Sequence, residues 1–130
     1  MTSNDTLANA LSKILTNDKL GKQTITLFPS SALLKKVLTL LQDNLYIGEY
    51  AEVSDDKGAY LTLNLIGKIN KCGVIKPRFS TQAKNFERWE KRYLPSRDFG
   101  IIIVSTSQGI MSHRDSRKKN LGGRLIAFCY

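Results

Sequence analysis

The chain has 130 residues, of which 42% are hydrophobic, and this is enough for one compact domain or two small lobes. Its 20 lysines and arginines against 11 acidic residues give a formal charge of +9, which makes a polyanion the first candidate partner. No apolar run reaches the roughly 18 residues of a spanning helix, and the first residues lack the charge order of a signal peptide. We therefore expect a cytoplasmic protein that binds nucleic acid and no membrane.

The first half of the chain predicts the element order α-β-α-β-β. Helical spacing of apolar residues predicts a first helix over residues 5–16, and alternation predicts a half-buried strand over residues 23–28. A turn at residues 29–31 precedes a second helix, whose apolar stripe recurs at i, i+3, i+4 and i+7: Leu34, Val37, Leu38 and Leu41. The runs 46–53 and 59–65 flank a polar turn and predict a β-hairpin.

The apolar pattern is interrupted around residues 67–73, and we place a boundary near residue 68. This gives an N-terminal α/β lobe of residues 1–68 and a C-terminal lobe of residues 69–130. The predicted fold class is α/β, more narrowly α+β, arranged as two small lobes. The second lobe is predicted to be mostly β with short helices. Its elements are a strand at 74–75, a helix around 86–93 that ends before Pro95, a buried strand at 100–104, a basic helix at 112–120 with Ser112 as N-cap, and a final strand at 124–130.

The two cysteines, Cys72 and Cys129, lie far apart in the sequence, and the chain has one histidine. Without a Cys-x-x-Cys pair the ligand spacing of a zinc site is missing, and no disulfide framework is implied. The pattern predicts two small, partly buried, reduced thiols and no metal or other cofactor.

Three hydroxyl side chains follow the predicted buried strand: Ser105, Thr106 and Ser107. Together with Gly109 they place short hydrogen-bonding groups on backbone that can turn sharply and come close to a ligand. A phosphate-rich partner would suit such a loop. The same triplet is also typical of an ordinary turn, because Ser and Thr often bond their own backbone.

Five cations lie within eleven residues around the pair Gly122-Gly123: Arg114, Arg117, Lys118, Lys119 and Arg124. Cations at this density can neutralise neighbouring phosphates and release counterions, although a charged run is also typical of a solvated surface. The run follows the loop of Ser105, Thr106 and Ser107, which we call the hydroxyl loop, and in a chain of charge +9 this favours nucleic-acid contact. Two further basic groups are Lys68, Lys71, Lys76 and Arg78, and Arg88, Lys91, Arg92 and Arg97.

The segment Ser-Thr-Ser-x-Gly-x-Met at residues 105–111 and the later Gly122-Gly123 resemble the universal small-subunit ribosomal protein family numbered eight. The resemblance is nearest to its archaeal and eukaryotic branch, and within that branch to the archaeal members. Further similar blocks lie at residues 5–11, 29–31, 46–50, 70–79 and 93–100, so the resemblance covers nearly the whole chain.

The resemblance implies a structural constituent of the small ribosomal subunit that binds the central domain of small-subunit rRNA and supports subunit assembly. Neighbouring small-subunit ribosomal proteins are the other implied partners. The candidate RNA-binding residues are Ser30, Ser31, Lys71, Arg78, Ser105, Thr106, Ser107, Gly109, Arg117, Lys118, Lys119, Gly122, Gly123 and Arg124. The chain departs from the family at Ala32, where many members have lysine, and at Phe79, which aligns with a bacterial tyrosine and either stacks on RNA or packs in the core.

The same surface would also suit a free regulator that binds an mRNA hairpin imitating the rRNA site. A membrane-surface module is disfavoured, because the basic helix at 112–120 is short and weakly amphipathic. The triplet His113-Arg114-Asp115 is similar to a kinase catalytic loop, but its other signatures are missing, and Ser107 lacks the glycine pattern of a hydrolase nucleophile. We therefore expect neither catalysis nor a small-molecule substrate.

Overall fold

The structure is a computed structural model that describes residues 6–27, 32–56, 58–75, 79–95 and 99–130. The chain divides into two compact units, residues 1–70 and 71–130, and each combines an antiparallel sheet with helices. The predicted α+β class with two lobes is confirmed. Within the described residues, no helix is both long and apolar enough to cross a lipid bilayer.

The first unit has the predicted order of helices and strands. Its elements are α1 (Thr6–Lys19), β1 (Thr24–Leu27), α2 (Ala32–Asp43), β2 (Ile47–Asp55) and β3 (Gly58–Leu65). The strands form one antiparallel sheet in the order β1-β3-β2, with β2 and β3 joined as the predicted hairpin. The sheet buries Ile25 and Leu27 on one face, and the four apolar residues predicted along α2 are all buried. Alternation and helical spacing therefore identified the core of this unit.

Helix α1 runs three residues beyond its predicted end at residue 16, because two polar residues near its C-terminus have partners inside the unit. The Asn17 side-chain amide donates to the Lys13 carbonyl at 2.7 Å. The carboxylate of Asp18, which is buried, accepts the backbone N–H groups of Gly67 and Ile69 at 2.9 and 3.3 Å. These bonds fix the segment after β3, where the sequence pattern shows only an interruption.

The second unit is mostly β with short helices, as predicted. Its elements are β4 (Cys72–Val74), β5 (Ser80–Thr81), a 3₁₀ turn (Ala83–Asn85), α3 (Phe86–Tyr93), β6 (Ile101–Thr106), β7 (Gly109–Ser112), α4 (His113–Lys118) and β8 (Gly123–Cys129). They form an antiparallel sheet in the order β4-β8-β6-β7, and β5 pairs with β8. Its core includes Phe86 and Trp89 of α3 packed with Ile102, Val104 and Leu125 of the sheet.

Two strands of this unit, β5 and β7, were not predicted from the sequence. β7 forms where a loop was expected, because only Ser107 and Gln108 separate it from β6 and Gly109 adopts a φ of +119° that suits a tight turn. β5 has two residues, too few for any periodicity to show.

Helix α4 ends at Lys118, two residues before the predicted end, and Asn120 then takes a left-handed φ of 54°.

Candidate nucleic-acid interface

The three hydroxyl residues lie at the hairpin between β6 and β7, and they have different roles. Thr106 pairs with Gly109 at the end of the ladder. Its hydroxyl donates to the Gly109 carbonyl at 2.7 Å and accepts the N–H of Gln108 at 3.2 Å. Thr106 therefore shapes the turn, whereas the side chains of Ser105 and Ser107 are exposed to solvent. Both interpretations of the triplet, as a turn and as a ligand-facing group, have residues that fit them.

A row of exposed polar side chains crosses three strands beside this hairpin. Arg124 of β8 stands opposite Ser105 of β6 on one side and opposite Ser80 of β5 on the other. Directly opposed residues in antiparallel strands project from the same face of the sheet. All three residues are exposed, so an arginine and two serines share one face of the sheet in neighbouring strands. We call Ser80, Arg124 and Ser105 the polar row.

The pair Gly122-Gly123 lets β8 enter between its two neighbours. A Cβ on Gly123 would overlap the carbonyl oxygen of Ser105, and a Cβ on Gly122 would overlap the carbonyl oxygen of Thr81. Any larger residue would therefore push β8 away from β6 or from β5. These glycines were predicted to contact RNA, and in the structure they also let the sheet close under the polar row.

Helix α4 presents its basic end next to this sheet. The Ser112 hydroxyl accepts the backbone N–H of Asp115 at 3.3 Å, which confirms Ser112 as the N-cap. Lys118 ends the helix, Lys119 follows it, and both side chains are exposed. Two cations are thus free to meet phosphates close to the start of β8.

A residue outside the predicted site fixes the turn between α4 and β8. The buried hydroxyl of Ser116 donates to the Leu121 carbonyl at 2.5 Å, and the Leu121 N–H donates back to the Ser116 carbonyl at 2.9 Å. These two bonds tie the turn that carries Lys119 to the helix. A serine in a charged run gives no signal of this role, since the bond depends on how the chain turns after the helix.

Arg117, a predicted RNA contact, has an acidic partner inside the protein. Its guanidinium contacts Oε1 of Glu90 on α3, a carboxylate that is only 2% exposed. The fully buried His113 lies beside the same oxygen, with 3.4 Å between His113 Nε2 and Glu90 Oε1. This buried cluster of Glu90, His113 and Arg117 joins α3 to α4.

His113 is held in its neutral form at ordinary pH. Burial, together with the nearby cations Arg114 and Arg117, lowers its pKa from 6.5 to about 4. Its Nδ1 accepts the backbone N–H of Ile102 at 3.0 Å, so the ring proton is on Nε2, which faces Glu90. The lone histidine is therefore a structural residue that fastens α4 to β6.

A cleft of about 400 Å³ opens beside the turn at Gly122-Gly123, which we call the glycine turn. It is lined by Thr81, Gln82, Ala83, Lys84, Asn120 and Gly122. A neighbouring cleft of about 360 Å³ shares two of these residues and is lined by Ser80, Thr81, Gln82, Asn85, Arg88 and Trp89. Lys84 and Arg88 are exposed and were absent from the predicted site. Lys84 and Arg88 lie near the predicted site because β5 pairs with β8, and no local sequence pattern predicts that pairing.

The remaining predicted residues are placed elsewhere. Lys71 is exposed, but its backbone pairs with Tyr130, six positions along β8 from Arg124 and so about 20 Å from the polar row. Ser30, Ser31 and Arg78 lie outside the described residues.

Phe79, for which stacking on RNA and core packing were both open, stacks on Trp89 at 4.8 Å between ring centroids. Arg92 lies over the Phe79 ring at 5.3 Å. The aromatic face of Phe79 is thus used in contacts within the unit.

The fold and this site define a class: a basic α+β protein whose exposed hydroxyls and cations meet at one end of a sheet, as in proteins that bind nucleic acid. The chain matches the family described as Ribosomal protein S8 over residues 5–130. It therefore belongs to the ribosomal protein S8 family, and the resemblance found in the sequence is confirmed. As a member it is a protein of the small ribosomal subunit that binds rRNA alongside other ribosomal proteins, and the family is one of structural proteins, not enzymes.

Proposed function

We propose that this chain binds the central domain of small-subunit rRNA directly and supports assembly of the small subunit. The main observation in support is the strand register, which sets Ser105 beside Arg124, close to the hairpin loop and the basic end of α4. We define the RNA-contact surface as Ser80, Lys84, Ser105, Ser107, Lys118, Lys119 and Arg124.

The proposed division of labour follows from the size and charge of these side chains. Ser105 and Ser107 carry short hydroxyls that both donate and accept, which suits the 2′-OH groups and base edges of the wide RNA minor groove. Lys118, Lys119 and Arg124 are cations that hold the flanking phosphates. Hydroxyl contacts then supply selectivity for a particular RNA shape, and the cations supply affinity that falls with salt.

Other residues predicted to bind RNA act in this proposal by building the surface. Thr106 closes the hairpin turn, and Gly122 and Gly123 allow β8 to approach its neighbours. Arg117 fastens α4 through Glu90 and so positions Lys118. Direct RNA contacts by Gly109, Lys71, Arg78, Ser30 and Ser31 stay predictions.

The proposal is tested by the affinity of the chain for a central-domain rRNA fragment and for a duplex RNA of equal length, across a salt series. The wild type should prefer the fragment by at least about tenfold, or roughly 1.4 kcal/mol. Ser107→Ala should lose most of that preference, whereas Ser12→Ala, at an exposed serine on α1, should keep it. Equal binding of the wild type to both RNAs would reduce the surface to a generic basic patch.

A cell-based measurement separates the proposal from its alternative, a free regulator of an mRNA hairpin. A ribosomal protein should co-sediment with small subunits in a gradient and leave them when Lys118 and Lys119 are both replaced by alanine. A free regulator would stay at the top of the gradient in both cases.

A further inference from the structure

Cys72 and Cys129, far apart in the sequence, are directly opposite each other in the structure. Cys72 begins β4 and Cys129 ends β8, and the antiparallel register of the two strands pairs them. Residues paired in this way project from the same face of a sheet. The two cysteines were predicted as small, partly buried, reduced thiols, and the sheet brings them together.

The hydrogen bonds next to this pair show which kind of pair it is. Lys71 and Tyr130 exchange two backbone bonds, at 2.9 Å from the Lys71 N–H and at 2.8 Å from the Tyr130 N–H. In an antiparallel ladder, pairs that exchange backbone hydrogen bonds alternate with pairs that do not. Cys72 and Cys129 therefore form a pair whose backbones exchange no hydrogen bond with each other, called a non-bonded pair. The Cα atoms of non-bonded pairs are about 4.5 Å apart and their side chains are close, which falls within the range of roughly 4.4–6.8 Å found across disulfides.

The surroundings of the pair allow a reagent to reach it through local opening. Both side chains are buried, at 6% and 1% exposed, so the closed sheet shields them. However, β4 has three residues and lies at the edge of the sheet, where it pairs with β8 alone in the strand order. A short edge strand is among the first elements to open locally. Opening of β4 would bring Cys72 into solvent and uncover the edge of β8 that carries Cys129, and closing would bring the two sulfurs together again.

We propose that Cys72 and Cys129 are an oxidisable pair that closes into a cross-strand disulfide on reaction with a peroxide. One thiolate attacks hydrogen peroxide, the O–O bond breaks, and a sulfenic acid forms as hydroxide leaves. The second thiolate attacks that sulfur, the S–S bond forms, and a second hydroxide leaves. With the two thiol protons the products are one disulfide and two waters, so the sulfurs lose two electrons and the peroxide gains them.

The disulfide would change the second unit in two ways. It would close a loop from residue 72 to residue 129, which restricts the unfolded chain and raises the melting temperature of the unit. It would also hold β4 against β8, and so fix the backbone of Lys71, which pairs with Tyr130 at the same end. The pair lies at the end of β8 opposite to Arg124, so this inference does not depend on the proposed RNA contacts.

The test is oxidation of the purified full chain with hydrogen peroxide, followed by alkylation and peptide mapping without reductant. The expected result is a linked peptide pair joining Cys72 to Cys129, the loss of two hydrogens from the intact mass, and a rise in melting temperature of at least about 5 °C that a dithiol reductant reverses. Cys72→Ala and Cys129→Ala should each show no rise after the same treatment.

Either of two results would overturn the proposal. The first is that both thiols are still fully alkylated after peroxide treatment in mild urea, which opens the sheet. The second is the appearance only of sulfinic acid or of dimers linked between chains. The wild-type peptide map decides the question even where an alanine variant fails to fold.

Discussion

Gly123 lies against the carbonyl oxygen of Ser105, so close that a Cβ at position 123 would overlap that oxygen. The register confirms how near the strands are at this end, since Ser105 pairs with Arg124 and Thr106 pairs with Gly123. The hydroxyl loop and the glycine turn are therefore one structure built from two distant segments. The two segments are distant in the sequence, so the sequence alone does not show that Gly123 sets how closely Ser105 can approach β8.

Gly123→Ala should destabilise the second unit by about 1–3 kcal/mol, because the added methyl forces β6 and β8 apart. Urea unfolding followed by the fluorescence of Trp89, the single tryptophan, measures this cost. Gly73→Ala is the matched control, since a Cβ there meets only the Phe128 ring at an ordinary 3.4 Å. Equal stability of the two variants would contradict the close approach of Gly123 to Ser105.

Thr106→Val and Ser107→Ala should separate the turn-forming hydroxyl from the ligand-facing one. Valine keeps the shape of threonine but removes the bonds to the Gly109 carbonyl and the Gln108 N–H, at a cost of about 1 kcal/mol in unfolding free energy. Ser107 is exposed, so Ser107→Ala should change stability by less than about 0.5 kcal/mol while it lowers RNA selectivity. Urea unfolding and RNA affinity, measured on both variants, should give opposite rankings.

The parts of the fold that local periodicity controls could be predicted from the sequence. The α2 stripe of Leu34, Val37, Leu38 and Leu41 repeats at helical spacing and is buried, and the hairpin of β2 and β3 follows from two runs around a polar turn. The strands β5 and β7 were missed because their existence depends on partners far along the chain, which are β8 and β6. Propensity within two to four residues is too weak to reveal such pairing.

The candidate site shows the same limit. The hydroxyl segment and the segment after α4 do meet in the second unit, through the pairing of Ser105 with Arg124 and of Thr106 with Gly123. Lys84 was missed because it reaches the glycine turn only through the pairing of β5 with β8. The contact of Arg117 with Glu90 was missed because the two residues are distant in sequence, and contact of Arg117 with RNA stays a prediction. The sequence shows that Arg117 is charged but does not show that Glu90 lies beside it in the fold.

The stability of the second unit should fall as the pH falls from 6.5 to about 4, through protonation of His113. Its pKa in the fold is about 4 and its unfolded value is 6.5, so between these values the unfolded chain binds more protons and protonation favours unfolding. The full contribution is present above pH 6.5, and the shift corresponds to about 3 kcal/mol lost by pH 4. The charged neighbours are Glu90, Arg114 and Arg117.

His113→Asn gives the control for this pH dependence, because asparagine retains an acceptor for the Ile102 N–H and does not titrate. His113 is the only histidine, so the slope of unfolding free energy between pH 5 and pH 6.5 should shrink markedly in the variant. Urea unfolding at a series of pH values, followed by Trp89 fluorescence, measures both slopes. An unchanged slope would show that another group titrates in this window.

Replacing Lys118 or Lys119 by alanine should weaken binding to every RNA and flatten its salt dependence. Each lysine that neutralises a phosphate releases about one counterion, so log Kd against log salt should lose a slope of roughly 0.7–0.9 per residue. Lys84→Ala should behave in the same way, because Lys84 lines the cleft beside Gly122. Lys22→Ala removes the same charge from an exposed site in the first unit and should leave the slope unchanged. If Lys22→Ala lowers the slope as much as the other three, the affinity arises from net charge and not from the RNA-contact surface.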